Sequence, residues 1–412
     1  MRGDGRNLLI YAPVPLHRKD GQLFLEDQAR NGLRLWAENF DHLTVMMPVT
    51  DAPIPASWGP LDLVGPSLDR ITVVPLPLPM AYRPDQFLKH LPAVRRQIRD
   101  LIQQADYLSF SIGGLFGDWG SVGCTEAWKM GRPYGVWTDR VESEVARRSI
   151  GQGNWRQNLR ARLYHRPMAL LERHLIGRAT VGFFHGRETY ETYAPYCRNP
   201  QLVHDIHLKK TDHISPEALR EKAASVGQGP LRIVYLGRAD PMKGPHDWLE
   251  VLRLASVAGV DFQAVWLGDG SELERMRAQI SILGLSDHVM TPGFSKDRED
   301  VLMALREAQL FLFCHKTPES PRCLIEALVS GTPIVGYEGA FARDLIHDHG
   351  GGVLSPLDDR NSLADHVIAL AKDPARLSDL ILKAAKDGEP YDDESVFRHR
   401  SELIREHLPI VI

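Results

Sequence analysis

Short apolar runs alternate with helix-length amphipathic stretches along nearly the whole chain, and the alternation is run through twice. Residues 7–13 read as a strand closed by Pro13, a helical pattern covers about 23–39 after a polar loop, and 43–49 reads as the next strand. A strand at 71–76, a helix at 86–104, a strand at 107–112, a helix from about Ser121 and a strand at 134–138 follow. From residue 232 the rhythm restarts, with strands expected at 232–236, 263–267, 288–291, 310–313 and 333–336. Strands separated by helices must pair in parallel, so the expected fold class is α/β with two Rossmann-like, doubly wound domains. Such sheets bind ligands beyond the carboxyl ends of their strands, at the point where strand order reverses.

The length of 412 residues agrees with two domains, since one hydrophobic core rarely grows beyond about 250–300 residues. The first is placed at 1–210 as the acceptor side of a cleft, and a polar linker at 211–229 contains a short helix at 216–224 and ends in Gly-Gln-Gly-Pro. The second is placed at 230–390, and 391–412 is read as a C-terminal helix packing back toward the first domain. A formal net charge of −4 gives no pull toward nucleic acid. The cysteines Cys124, Cys197, Cys314 and Cys323 lack metal-ligand spacing and are expected to be reduced. Asp205-Ile-His207 is too sparse for a metal site, so neither a metal nor another cofactor is expected. No apolar run approaches 18 residues, and the first, 8–14, is interrupted by proline, so a cytoplasmic protein is expected, able to sit peripherally on the cytoplasmic face of a membrane.

Two segments of the second half carry the chemistry. Directly after the strand at 232–236 comes Gly237-Arg238-Ala-Asp-Pro-Met-Lys243-Gly244, a turn with two cations five residues apart that can grip a diphosphate. After the strand at 310–313 comes Pro318-Glu319-Ser-Pro-Arg322-Cys323-Leu324-Ile-Glu326, which opens a helix whose N-terminus suits an anion. Glu326 lies in an otherwise apolar helix, where a carboxylate needs a partner, and the vicinal hydroxyls of a ribose would be one.

Together with Val265-Trp-Leu-Gly268-Asp-Gly270, these stretches resemble the donor-binding half of family 4 retaining glycosyltransferases of the GT-B fold. The resemblance spans about 231–346, while 1–200 matches only in its α/β layout. It implies a nucleotide-sugar donor, a saccharide or lipid-linked acceptor, and retention at the anomeric carbon. By position it makes Arg238, Lys243 and Glu319 catalytic, with Gly237, Gly268, Phe294, Arg322, Cys323, Leu324 and Glu326 also holding the donor. In the family seven residues separate the two glutamates, whereas six stand between Glu319 and Glu326, and Pro321 falls where an amide could face the phosphates. The family's glycine pair in the first loop is reduced to Gly21, and its histidine-aspartate pair is replaced by Thr138-Asp139.

On the acceptor side, the candidates are Gly21, Gly113, Gly114, Asp118 and Asp139, the glycines because they admit close backbone approach. Nine arginines fall within 140–178, among them Arg147, Arg148, Arg156, Arg160, Arg162 and Arg166. Interleaved with Trp155, Leu159, Leu163 and Tyr164, they can lie on an anionic membrane surface or form a solvated basic face. Other activities of the same fold (an epimerase, an inverting transferase, a phosphorylase) and a non-catalytic sugar-nucleotide binding subunit stay open on these residues.

Overall fold

The computed structural model describes residues 6–55, 58–77, 84–116, 118–151, 154–204, 206, 208–295, 297–317 and 321–410. Backbone contacts divide the chain into two units, Met1–His207 with Asp393–Ile412, and Leu208–Asp392.

The first unit is built on a parallel sheet whose strands are β1 (Asn7–Tyr11), β4 (His42–Thr50), β6 (Ile71–Leu76), β7 (Tyr107–Ser111), β8 (Gly135–Thr138), β9 (Val181–His185) and β10 (Pro200–Val203). Their order is β6-β4-β1-β7-β8-β9-β10, with every neighbouring pair parallel. Because helices cover both faces, alternate residues enter two separate cores: Leu8 and Ile10 join one, Leu9 and Tyr11 the other. The unbroken apolar run of β1 follows from that double burial.

The loop expected after β1 is instead a hairpin of β2 (Leu16–Lys19) and β3 (Gln22–Glu26), joined by β5 (Trp58–Pro60). Its two-residue turn is Asp20-Gly21, with φ of 50° and 78°, the left-handed pair that a tight hairpin demands. The helix expected from 23 therefore begins later, at Asp27–Asn39. The C-terminal helix Asp393–His407 packs on this helix, with Phe397 edge-on to Trp36 at 5.0 Å and Asn31 donating to Asp393 at 2.6 Å.

The second unit holds six parallel strands, β11 (Leu231–Leu236), β12 (Phe262–Leu267), β13 (Val289–Gly293), β14 (Leu310–Phe313), β15 (Ile334–Tyr337) and β16 (Gly352–Ser355). Their order, β13-β12-β11-β14-β15-β16, places the reversal between β11 and β14. The stretch 211–229, expected to be a linker, belongs to this unit. Its helix Pro216–Ala224 buries Lys222, whose ammonium donates to Leu305 O (3.1 Å), Ser330 O (3.0 Å) and Thr332 Oγ1 (2.6 Å). Ile214 N adds a bond to Val329 O at 2.9 Å. A polar segment reads as a linker, yet its buried Lys222 is fully satisfied, so the segment docks.

Candidate active site

The reversal point fixes where the site lies. β11 is followed by Gly237 and β12 by Gly268, and the backbones leaving these strands nearly touch. A Cβ on Gly268 would stand 2.0 Å from Gly237 O, and one on Gly270 would stand 2.6 Å from Ala239 O. Only glycine permits this approach, which backbone bonds then close: Gly237 N to Leu267 O, Ala239 N to Asp269 O and Gly268 N to Gly293 O, each 2.9 Å.

The cationic turn follows Gly237. Arg238 is 72% exposed and meets Asp240 at 3.1 Å, while Lys243 is half-buried and ends a short 3-10 turn, Pro241–Lys243. Gly244 comes next in a left-handed conformation, φ 64°, and starts the helix Pro245–Val257. Its missing side chain matters, since a Cβ would lie 2.2 Å from Cys314 O at the end of β14. Lys316 N donates to Met242 O at 2.9 Å, so the turn is seated on the residues following β14. Behind it, His246 bonds Glu272 at 2.7 Å, which holds the Glu272 carboxyl below its usual range.

These elements enclose a cavity of about 1180 Å³, whose described lining residues belong to the second unit. Its walls include Gly237, Arg238, Lys243, Gly268, Phe294, Arg322, Cys323 and Glu326, eight of the ten residues expected to hold a donor. Tyr235 lies in its floor, its hydroxyl 2.8 Å from His315 Nε2. Arg238, Lys243 and Arg322 give this cavity three cations, and Glu326 and Asp269 supply carboxylates. Leu324 departs from expectation: as the third residue of the helix Arg322–Val329 it is 1% exposed, a core side chain and no part of the lining. Glu319 lies outside the described residues.

Glu326 has a partner that the sequence does not announce. The Arg298 guanidinium reaches Glu326 Oε1 at 3.3 Å and Asp212 Oδ2 at 2.9 Å. The loop Gly293-Phe-Ser-Lys-Asp-Arg298 has the composition of a pocket-shaping turn, but Asp212 stands 86 residues from Arg298 and no local pattern joins them. Asp269, Gly270, Ser295 and Val301 also line the cavity. Of these only Asp269 and Gly270 fall in a sequence motif, Gly268-Asp-Gly270.

The acceptor-side candidates lie in the first unit. Gly21 fills the left-handed hairpin position, with nothing within 4 Å of a notional Cβ. Asp118 is buried and caps the helix Trp119–Lys129, accepting from Gly120 N at 3.0 Å, Gly113 N at 2.9 Å, Gly114 N at 3.3 Å and the Ser121 hydroxyl. Burial raises its pKa, and these donors oppose the rise. Its bonds hold the Gly113 and Gly114 amides at the start of that helix and leave the carboxylate occupied. Asp139 is exposed after β8. No group of three or more His, Cys, Asp or Glu side chains able to hold a metal occurs among the described residues, and none of the four cysteines is in a disulfide.

Residues 218–387 match the family model described as glycosyl transferases group 1. Over those residues the second unit is similar to the group 1 glycosyltransferases. Curated relatives include the amylovoran biosynthesis glycosyltransferase AmsK of Erwinia amylovora, 28% identical over 198 residues, which are 46% of this chain and 48% of that one. The 2-deoxystreptamine N-acetyl-D-glucosaminyltransferase of Niallia circulans is 30% identical over 165 residues, 40% of each chain. The matched stretch thus spans about half the length of these relatives or less. Solved structures extend the likeness in fold to both units of this chain. The lipopolysaccharide outer core galactosyltransferase WaaB superposes with a TM-score of 0.63 at 14% identity, over 98% of this chain and all of that one. Anabaena HepE in complex with UDP gives 0.62 at 15%, with the same coverage. The fold is therefore GT-B, two Rossmann-like units.

Proposed function

We propose that the chain is a glycosyltransferase that moves a hexose from a nucleoside-diphosphate sugar to a saccharide or lipid-linked acceptor, with retention. The reading rests on one observation: a cationic turn, two abutting glycine loops and a carboxylate line a single cavity at the strand reversal of the second unit. Breaking the anomeric C–O bond leaves charge on the diphosphate, and fixed cations there lower the barrier. Arg238 and Lys243 take that role, helped by the first amides of the helix Arg322–Val329, and no metal is required. Glu326 accepts from the ribose hydroxyls, and Glu319 orients the hexose. With retention, the leaving phosphate takes the acceptor's proton while the acceptor oxygen attacks the same face, so the protein supplies mainly positioning and charge. The test is release of nucleoside diphosphate from a panel of nucleotide sugars, with and without saccharide acceptors. Acceptor-dependent release, and an α-linked product from an α-configured donor by NMR, support the proposal. Binding without turnover would favour a sugar-nucleotide binding subunit, and a β-linked product would refute retention.

The lipid side of the acceptor reading has its own support. The helix Trp155–Ile176 packs through Ala161, Glu172, Leu175 and Ile176, while Trp155, Leu159, Leu163 and Leu170 are 70%, 49%, 59% and 67% exposed. At 100° per residue those four fall within an arc of about 80°, opposite the packed face and flanked by Arg156, Arg160 and Arg162, with Arg166 inside the arc. Arg147 and Arg148, by contrast, pair with Glu144 and Glu188. An apolar stripe edged by arginine fits the interface of an anionic bilayer. No helix among the described residues is long and apolar enough to cross a membrane. Flotation with anionic vesicles that weakens with salt, and fails when Arg156, Arg160 and Arg162 are neutralised together, is the expected result. Equal binding to neutral vesicles, or none, would reject it.

A further inference from the structure

Arg298 is not part of the cavity lining, yet it is the cation that touches the carboxylate proposed to read the ribose. Its two outer nitrogens serve different partners, Nη2 on Asp212 and Nη1 on Glu326. The Asp212 end is firm. That carboxylate is 12% exposed and accepts Lys209 N at 3.0 Å, and the Asp212 carbonyl accepts Arg306 Nη2 at 3.0 Å. Arg298 itself opens a helix, Arg298–Glu307, capped by Asp297 accepting Glu299 N at 2.9 Å. One end of the guanidinium is thus fixed by an anchored carboxylate, and the rigid planar fork presents its other end to Glu326. Although burial works against it, the Asp212 and Glu326 contacts raise the pKa of Arg298.

A glutamate has three side-chain torsions, and holding one rotamer for a ligand costs about 1–2 kcal/mol of conformational entropy unless something has fixed it beforehand. We infer that Arg298, braced by Asp212, is a positioning residue that presets the Glu326 carboxylate to accept the 2′- and 3′-hydroxyls of the donor nucleotide. The inference rests on the proposed ribose role of Glu326. It adds that recognition of the nucleotide reaches outside the cavity into the segment that begins the second unit. Lysine at 298 could not span both carboxylates with a fork, so charge alone would not reproduce the effect.

The test separates this inference from the reading on which it rests. The best binder among UDP, GDP and ADP is titrated into the full chain alongside its 2′-deoxy counterpart. The wild type should prefer the ribonucleotide about tenfold or more, the scale of one hydrogen bond to a charged group. Glu326→Gln should lose most of that preference. Arg298→Ala and Arg298→Lys should each lose it in part, with affinity for the deoxynucleotide nearly unchanged, and the Arg298→Ala/Glu326→Gln double variant should lose no more than Glu326→Gln alone. Asp212→Asn, which leaves Arg298 in place but weakens its anchor, should shift the preference in the same direction and serves if the Arg298 variants fold poorly. An unaltered preference in the Arg298 and Asp212 variants would overturn the positioning role while sparing the ribose role of Glu326. So would equal losses for both nucleotides, which mark a merely structural contact. An unaltered preference in Glu326→Gln would overturn the ribose role, and the inference with it.

Discussion

Gly244→Ala tests whether the diphosphate turn is held in place by the close approach of its backbone to β14. The native φ of 64° is left-handed, which costs an alanine about 1–2 kcal/mol. The new Cβ would also stand 2.2 Å from Cys314 O and 2.8 Å from Cys314 Cβ, contacts that backbone must relieve, adding about 1–3 kcal/mol. The expected loss is therefore about 2–5 kcal/mol. Gly259 at the other end of the same helix supplies the control, since its φ of 78° is also left-handed but nothing lies within 4 Å of its notional Cβ. Gly259→Ala should cost only the conformational part, about 1–2 kcal/mol. Urea unfolding of both variants reads the difference directly. Because relief of the clash must move Lys243, the adjacent residue, affinity for a nucleoside diphosphate should also fall in Gly244→Ala and hold in Gly259→Ala. Equal destabilisation of the two variants, or undiminished affinity in Gly244→Ala, would refute the reasoning.

Two further outcomes follow from buried groups of the first unit. Burial, reinforced by His185 and Arg187, pushes the His204 pKa down to about 3, so the unfolded chain binds the extra proton and the stability held by neutral His204 is full above about 6.5. It is lost as pH falls toward 3, and His204→Gln should flatten the acid limb of unfolding free energy against pH by up to about 1.4 kcal/mol per unit; an unchanged slope contradicts this. Asp118→Asn sets an amide among three backbone N–H groups and a hydroxyl, and should destabilise by about 1–3 kcal/mol in urea unfolding, with no loss expected if those bonds are incidental.

The fold is legible because parallel strands buried on both faces are unbroken apolar runs, as in 233–236 and 310–313, and few other structures use them so. The turn after β11 is legible for a related reason, its glycines and cations being adjacent in sequence. What escaped was set by tertiary contact. Asp20-Gly21 is a hairpin dipeptide, but the polar run around it looked like a plain loop. The helix Pro216–Ala224 looked like a linker because its docking depends on one lysine reaching three oxygens more than 80 residues away. Asp118 looked like a site residue because a carboxylate beside glycines also suits a ligand, and only the bonds show it capping the helix that follows. The pairing of Glu326 with Arg298 was hidden by the same distance in sequence.

On the proposed function, the cavity at the strand reversal holds a nucleoside diphosphate by its phosphates through Arg238 and Lys243. Calorimetric titration of the chain with a nucleoside diphosphate and with the matching nucleoside, in wild type and in Arg238→Ala/Lys243→Ala, measures this most directly. The wild type is expected to bind the diphosphate at least about a hundredfold more tightly than the nucleoside, two charge-assisted contacts of about 1.5–3 kcal/mol each, and the double variant to lose most of that margin while the nucleoside binds both alike. An undiminished margin in a folded double variant would contradict it.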